Sequence, residues 1–332
     1  MKNHLNQILA HTHKGHRDYQ EDSYAYRDSF VLVADGVGGL AKGDIASDIV
    51  VRTWQNALEI GAIRLANLHE DVNIIVQETI NDLIVYSLDN PESAGMGSTL
   101  ACAAIIDERL VAVHIGDSRI YHFSRDGQIK WRSKDHSLVQ ELVNGGVITE
   151  DEASTHPRRN VITRVLQAKE GHETKASIHV FENIVSGDIV MVCSDGINES
   201  WSDAGISSVI MGHQDVKDII SIIGDHSAAN SKDNNTVVMA MIEIDELKQQ
   251  IAESTLNISQ KDDQDIVQIR QDEIASKDES DKSLSNNKTE ETAVNSILKQ
   301  RSFGVKQKYY KVGIFAIIII LIIILLYQKC SK

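Results

Sequence analysis

Four short apolar runs, rich in Val and Ile, meet an aspartate at one end, and this pattern constrains the chain more than any other. Residues 30–34 (FVLVA) stop at Asp35-Gly36-Val37-Gly38-Gly39. Residues 110–115 (LVAVHI) stop at Gly116-Asp117-Ser118-Arg119, and 189–193 (IVMVC) at Ser194-Asp195-Gly196. Asp233-Asn234-Asn235 leads into 236–244 (TVVMAMIEI). Runs of this length and composition read as strands. An aspartate at the tip of a buried strand is costly unless it is paired or bound to a cation. Any one Asp-Gly is an ordinary turn. Four at strand ends, with the acidic pair Glu21-Asp22 shortly after Arg17, are hard to explain as turns. Brought to one sheet end, they suit hard divalent cations such as Mg2+ or Mn2+, which take oxygen ligands and keep several waters. A glycine beside an aspartate lets the backbone turn and a carbonyl approach closely.

Further strands are expected at 99–106 and 119–123, with Asp107-Glu108 as a tight hairpin before 110–115. Helical periodicity marks 45–58, 72–87, 137–144 and 216–229. Strand-rich blocks with interspersed long helices predict an α+β fold of layered antiparallel sheets and helices.

Composition divides the chain into three regions: a globular domain over 1–243, a linker over 244–305, and a basic flank with an apolar run over 306–332. From Glu243 to Ser302 there is no Phe, Trp, Tyr, Gly or Pro, and acids outnumber bases. Such a stretch can bury too little to offset the entropy of ordering, so it reads as a disordered linker. Residues 312–327 (VGIFAIIIILIIILLY) carry no charge. At ~1.5 Å per residue, that helix is somewhat short for a bilayer core of roughly 30 Å. Flanking Tyr309, Tyr310, Lys311, Tyr327 and Lys329 extend it by anchoring and snorkelling. Lys306, Lys308 and Lys311 place the preceding domain on the cytoplasmic side. The expectation is therefore a single-pass C-terminal membrane anchor with a cytoplasmic domain. A net charge of -15 argues against nucleic acid as a partner. Cys102, Cys193 and Cys330 form no disulfide framework or CxxC spacing.

Taken in order, Arg17-x-x-x-Glu21-Asp22, Asp35-Gly36-Val37-Gly38-Gly39, Gly97-Ser98-Thr99, Gly116-Asp117-Ser118-Arg119, Ser194-Asp195-Gly196 and Asp233-Asn234-x-Thr236 resemble the protein phosphatase 2C family, the metal-dependent PPM class, in its bacterial form. The resemblance runs from about residue 11 to 242. It implies a four-layer α-β-β-α sandwich of two antiparallel sheets flanked by helices, with a mobile flap over 135–164. It also implies two or three Mn2+ or Mg2+ ions. Asp35 would bridge two of them, with the Gly36 carbonyl as a further ligand and Asp195 and Asp233 completing the protein ligands of the first ion. Glu21 would act on the second ion through water, with Asp22 in support, and Asp117 would bind a third ion with Asp195. Asn234 would orient Asp233, and Arg17 would hold the substrate phosphate.

The implied activity is that of a protein serine/threonine phosphatase, by in-line attack of a metal-activated water. Phosphorylated proteins would be its substrates, a cognate serine/threonine kinase a partner, and the catalytic domain monomeric. The alternative is an inactive, membrane-tethered phosphoprotein-binding module. Some relatives carry His, a proton donor, where Val37 stands here. That leaves the general acid unassigned, with His136 a candidate against a structural role. His11, His13 and His16 share no strand or helix face, so metal binding there is not expected.

Overall fold

The computed structural model describes residues 3–37 and 42–244. Gly38, Gly39, the acidic stretch from 245 and the apolar run 312–327 lie outside the described residues. The elements are β1 (His4–His13), β2 (Asp22–Arg27), β3 (Phe30–Val37), α1 (Gly43–Glu59), α2 (Leu68–Asp89), β4 (Gly97–Ser98), β5 (Leu100–Ile106), β6 (Arg109–Ile115), β7 (Arg119–Phe123) and β8 (Ile129–Arg132). They continue as α3 (Leu138–Asn144), α4 (Glu150–Thr155), β9 (Leu166–Gln167), β10 (Ser177–Val180), β11 (Ile189–Cys193), α5 (Asp195–Ser200), α6 (Asp203–Gly212), α7 (Val216–Asn230) and β12 (Asn235–Glu243). Among the described residues, no helix is long and apolar enough to cross a membrane.

The strands form two antiparallel sheets. One has five strands in the order β1-β12-β11-β7-β8, and the other runs β10-β6-β5-β3-β4-β9 with β2 added against β3. Period-two alternation sends each strand's side chains to opposite faces. In β3, Phe30, Leu32 and Ala34 pack with Trp54, Val50 and Val76 of α1 and α2, whereas Val31 and Val33 face the other sheet. In β11, Val190 and Val192 meet Val31 and Val33 between the sheets. Ile189, Met191 and Cys193 pack under α6 and α7 with Ile206, Ile219 and Ile223. Three apolar layers therefore alternate with four layers of secondary structure, which is the expected α-β-β-α sandwich. Both faces of each sheet are covered, so the central strands read as continuous apolar runs.

The Asp107-Glu108 hairpin forms as expected. Both residues have positive φ, 46° and 67°, as a two-residue turn matched to right-handed strand twist requires. Strand β1 was not expected. Its register shifts between Asn6 and Leu9, where Gln7 takes φ 45°, and this bulge interrupts the alternation that would mark a strand.

Candidate metal centre

The aspartates converge along the seam between the sheets. Asp35, near the end of β3, pairs in register with Asp22 of β2. Thr99 fixes its backbone twice: the Asp35 N–H donates to Thr99 Oγ1 at 2.9 Å, and the Thr99 N–H donates to the Asp35 carbonyl at 2.9 Å. Ser98 Oγ donates to the same carbonyl at 3.0 Å. Thr99 Oγ1 lies 2.7 Å from Ser118 Oγ, which joins this strand end to the turn carrying Asp117. Across the seam, Asp195 opens α5 straight after β11. The preceding Ser194 donates its hydroxyl to Asp22 Oδ2 at 2.7 Å and accepts the Thr236 N–H at 2.9 Å. Asp233 lies just before β12, where its Oδ2 accepts from the half-exposed Arg17 at 2.5 Å.

Two glycines make this convergence possible. A Cβ on Gly196 would lie 2.0 Å from the Asn234 carbonyl oxygen, so the Asp195 and Asp233 segments touch through bare backbone. A Cβ on Gly36 would lie 2.1 Å from the Gly43 carbonyl oxygen, where the chain returns to start α1. A Cβ on Gly43 would lie 2.7 Å from Glu21 Oε1, which places the Glu21 carboxylate at the N-terminus of α1.

The electrostatics are those of crowded like charges. Burial, then repulsion from Asp22, Asp195, Asp117 and Asp233, raises the Asp35 carboxyl well above the ordinary range. Burial and Asp195 do the same to Asp117. Burial pushes Asp22 up to about 7 against the hydroxyls of Ser194 and Thr236. Asp195 rises to about 6 through burial and the charge of Asp233, offset by a hydrogen bond with Asp35. Burial also raises Glu21, against the pull of Arg17.

These residues fit divalent cations. Asp22 Oδ1, Asp117 Oδ1 and Asp195 Oδ1 are buried oxygens with no hydrogen-bond donor. Leaving such a group unsatisfied costs about 1–3 kcal/mol, more when it is charged. A cation beside them offsets both that cost and the mutual repulsion. Among the described residues, no ready-made group of three or more His, Cys, Asp or Glu side chains is placed to hold a metal ion. Ions that keep several waters do not need one.

Other expected residues take different roles. His136 is not placed as a proton donor. It is buried and stacked on His114 with ring centroids 4.6 Å apart. Burial, then His114 and Arg164, pushes its pKa down to about 3. Nδ1 accepts the Gly116 N–H at 3.1 Å, and Nε2 lies 2.8 Å from Ser177 Oγ. A neutral ring in this position braces Gly116, whose φ of 102° presents Asp117. Asn234 orients more than Asp233. Its backbone N–H donates to Asp233 Oδ1 at 2.8 Å, while its side chain grips the loop of Arg17 and Glu21. There Nδ2 donates to the Lys14 and Tyr19 carbonyls at 2.9 Å each, and Oδ1 accepts the Glu21 N–H at 2.7 Å. Gly43 was not anticipated, although its place shortly after Gly38-Gly39 was a usable signal. His11 lies against Gly224 and Asp225, and the Nδ1 of His13 accepts the Gly15 N–H, so the N-terminal histidines do not converge.

The carboxylates open onto a cleft of about 720 Å³ lined by Asp117, Asp195 and Asp233 at one end and by Glu150, Thr155 and Arg159 near α4. Arg119 forms a two-pronged pair with Asp135 at 2.7 and 2.8 Å in its wall, and Arg132 pairs with Asp203 at 2.9 Å. The segment 135–164, expected to be a flap, thus supplies one side of the cleft.

Residues 11–214 match the family model for protein phosphatase 2C. The chain is 30% identical over 220 residues to the serine/threonine phosphatase stp of Listeria innocua, covering 64% of this chain and 84% of that protein. It is 34% identical over 227 residues to the serine/threonine protein phosphatase PstP of Mycobacterium tuberculosis, covering 68% of this chain but only 42% of the mycobacterial protein. Its fold is similar to the crystal structure of the catalytic domain of PstP in complex with two manganese ions, with TM-score 0.62, 30% identity, and coverage of 73% of this chain and all of that one. The sandwich, the carboxylates on its seam and the matched residues lead to one conclusion: this chain belongs to the protein phosphatase 2C family.

Proposed function

We infer that the chain is a metal-dependent protein serine/threonine phosphatase, and the observation that carries this is the cluster of Asp22, Asp117 and Asp195, each with an orphaned buried oxygen, beside a cleft that Asp117 and Asp195 line. Asp35, Asp195, Asp233 and the Gly36 carbonyl would hold the first two ions, with Glu21 and Asp22 in support and Asp117 available to a third. Bound Mn2+ or Mg2+ supplies Lewis acidity, which makes a water nucleophilic near neutral pH and offsets phosphoryl charge. The protein's own part is orientation. Arg17, at the rim and held by Asp233, presents guanidinium donors suited to phosphate oxygens. Asn234 holds the Arg17 loop to the Asp233 segment, so the phosphate-binding and ion-binding groups keep a common frame.

The test is hydrolysis of a phosphoserine peptide by the full chain with Mn2+, with and without chelator. Turnover that disappears with chelator and returns with Mn2+ is expected. No turnover in Mn2+ would leave the inactive phosphoprotein-binding module as the surviving reading.

The apolar run 312–327 supports a further element of the proposal, a membrane anchor that holds the domain beside membrane-associated substrates, with a serine/threonine kinase as the natural opposing partner. A tether of this kind raises the effective concentration of nearby substrates. Full-length chain should sediment with membranes and a 1–305 truncation should remain in the supernatant; a full-length chain that stays in the supernatant contradicts the anchor.

A further inference from the structure

Glu199 stands outside the carboxylate cluster, yet it holds the Asp233 segment through three hydrogen bonds. It lies on α5, four residues after Asp195, so the two side chains project from one helix face. Its Oε2 collects three donors from the other segment: the Ser231 hydroxyl at 2.9 Å, the Lys232 N–H at 2.8 Å and the Asp233 N–H at 3.3 Å. Ser231 is fully buried, and its hydroxyl also lies 3.2 Å from both the N–H and the carbonyl of Asp233. One turn away, Gly196 packs directly on the Asn234 carbonyl. The short helix α5 thus carries one carboxylate at its start and grips, with its next turn, the segment that carries another.

This placement has a cost that argues against chance. Glu199 adds a negative charge one helical turn from Asp195. The three donors more than compensate at Glu199 itself, holding its carboxyl below the ordinary value despite partial burial. An ordinary loop anchor would not require a charge here. A strong multi-donor acceptor is needed where the gripped backbone must stay fixed against the repulsion between Asp195 and Asp233.

We propose that Glu199 is a positioning residue for the metal centre, fixing Asp233 relative to Asp195 through the backbone N–H groups of residues 232 and 233 and so setting the affinity for the ion those two carboxylates share. The proposal rests on the two-metal reading above. It acts through Asp233 and not on substrate, so its effect falls on ion binding ahead of the chemical step.

The test uses the full chain, calorimetric titration with Mn2+, and amide hydrogen exchange of residues 232 and 233 in metal-free protein. Glu199→Ala should weaken Mn2+ binding roughly 10–100-fold, the usual scale for a partner that orients a ligand. It should also speed exchange at both amides and leave kcat near wild type once Mn2+ is saturating. Glu199→Gln, which keeps an acceptor oxygen, should recover most of the affinity and the slow exchange. Wild-type Mn2+ affinity in Glu199→Ala overturns the proposal. So does a Glu199→Gln variant as impaired in Mn2+ binding as Glu199→Ala, because charge would then be acting on the ion and not the grip on Asp233. If the wild type itself binds no Mn2+, the metal reading fails; the exchange measurement still stands alone, and amides that stay slow in Glu199→Ala reject the grip.

Discussion

Asp35→Asn should reduce turnover of a phosphoserine peptide by about 10³-fold or more at saturating Mn2+ while leaving the fold intact. Asp35 is the carboxylate on which Asp22, Asp195, Asp117 and Asp233 all act, so it occupies the centre of the charge cluster. Removing its charge removes ligand strength from both ions it would bridge. A loss of about 4 kcal/mol in charge stabilisation corresponds to three decades in rate. Asparagine has the same shape, and the contacts that seat the residue come from its backbone to Thr99 and Ser98. Wild-type rates in this variant would refute the site.

The same substitution should make the metal-free chain more stable at neutral pH. The folded-state pKa of Asp35 is raised above the unfolded value of roughly 3.9. A raised carboxyl contributes stability at acidic pH and loses it as pH climbs through the folded pKa, because the native state then holds more protons than the unfolded one. In chelator at pH 7.5, the variant should melt a few degrees above wild type, since about 1 kcal/mol moves a domain of this size by roughly 2–4 °C. As pH falls and the wild-type carboxyl takes up its proton, the gap should narrow. A variant that melts lower than wild type at pH 7.5 would show that the cluster is not under repulsion.

Gly196→Ala should be nearly as damaging by a different route. The new Cβ would meet the Asn234 carbonyl oxygen at 2.0 Å and the Asn235 Cβ at 3.1 Å, both on a segment held from several sides. Overpacking of this kind typically costs about 1–3 kcal/mol. Here it also separates Asp195 from Asp233, so turnover should fall about 100-fold or more, with weaker Mn2+ binding and a lower melting temperature. Gly212→Ala is the matched control: nothing lies within 4 Å of its Cβ at the end of α6, and it should retain wild-type rates. Equal rates in the two variants would mean that the close approach of the two segments is unimportant.

Sequence reading went furthest where burial on both faces of a sheet left an unambiguous trace. The runs now seen in β3, β5, β6, β7, β11 and β12 were legible because both sides of each strand are apolar. Strands β2 and β10 were not, since DSYAYR and SIHV lie at sheet edges and mix polar with apolar residues. Helices α5 and α6 were missed for their brevity and, in DAGISSVIMG, for the lack of a clean apolar stripe. The convergence of Asp35, Asp117, Asp195 and Asp233 could be read from their repeated place at strand ends. What holds them could not. The Gly36–Gly43 and Gly196–Asn234 contacts, the grip of Asn234 on the Arg17 loop, and the bracing of Gly116 by His136 join residues far apart in the chain, and nothing in their local sequence announces a partner.

The seam between the sheets also ties the stability of the fold to the ions it would hold. Asp35 lies on one sheet, while Asp195 and Asp233 flank strands β11 and β12 of the other. Arg17 and Asp117 lie on two of the connections, β1 to β2 and β6 to β7, that cross between them. A cation shared by these carboxylates is therefore a rivet through both sheets at one rim. Without it, that rim is a strip of mutually repelling acids, from which the sandwich can begin to splay. Binding at a hundred times the dissociation constant adds about 2.7 kcal/mol to the folded state. A chain stripped of its ions should therefore unfold more readily than the loaded one, starting from this rim.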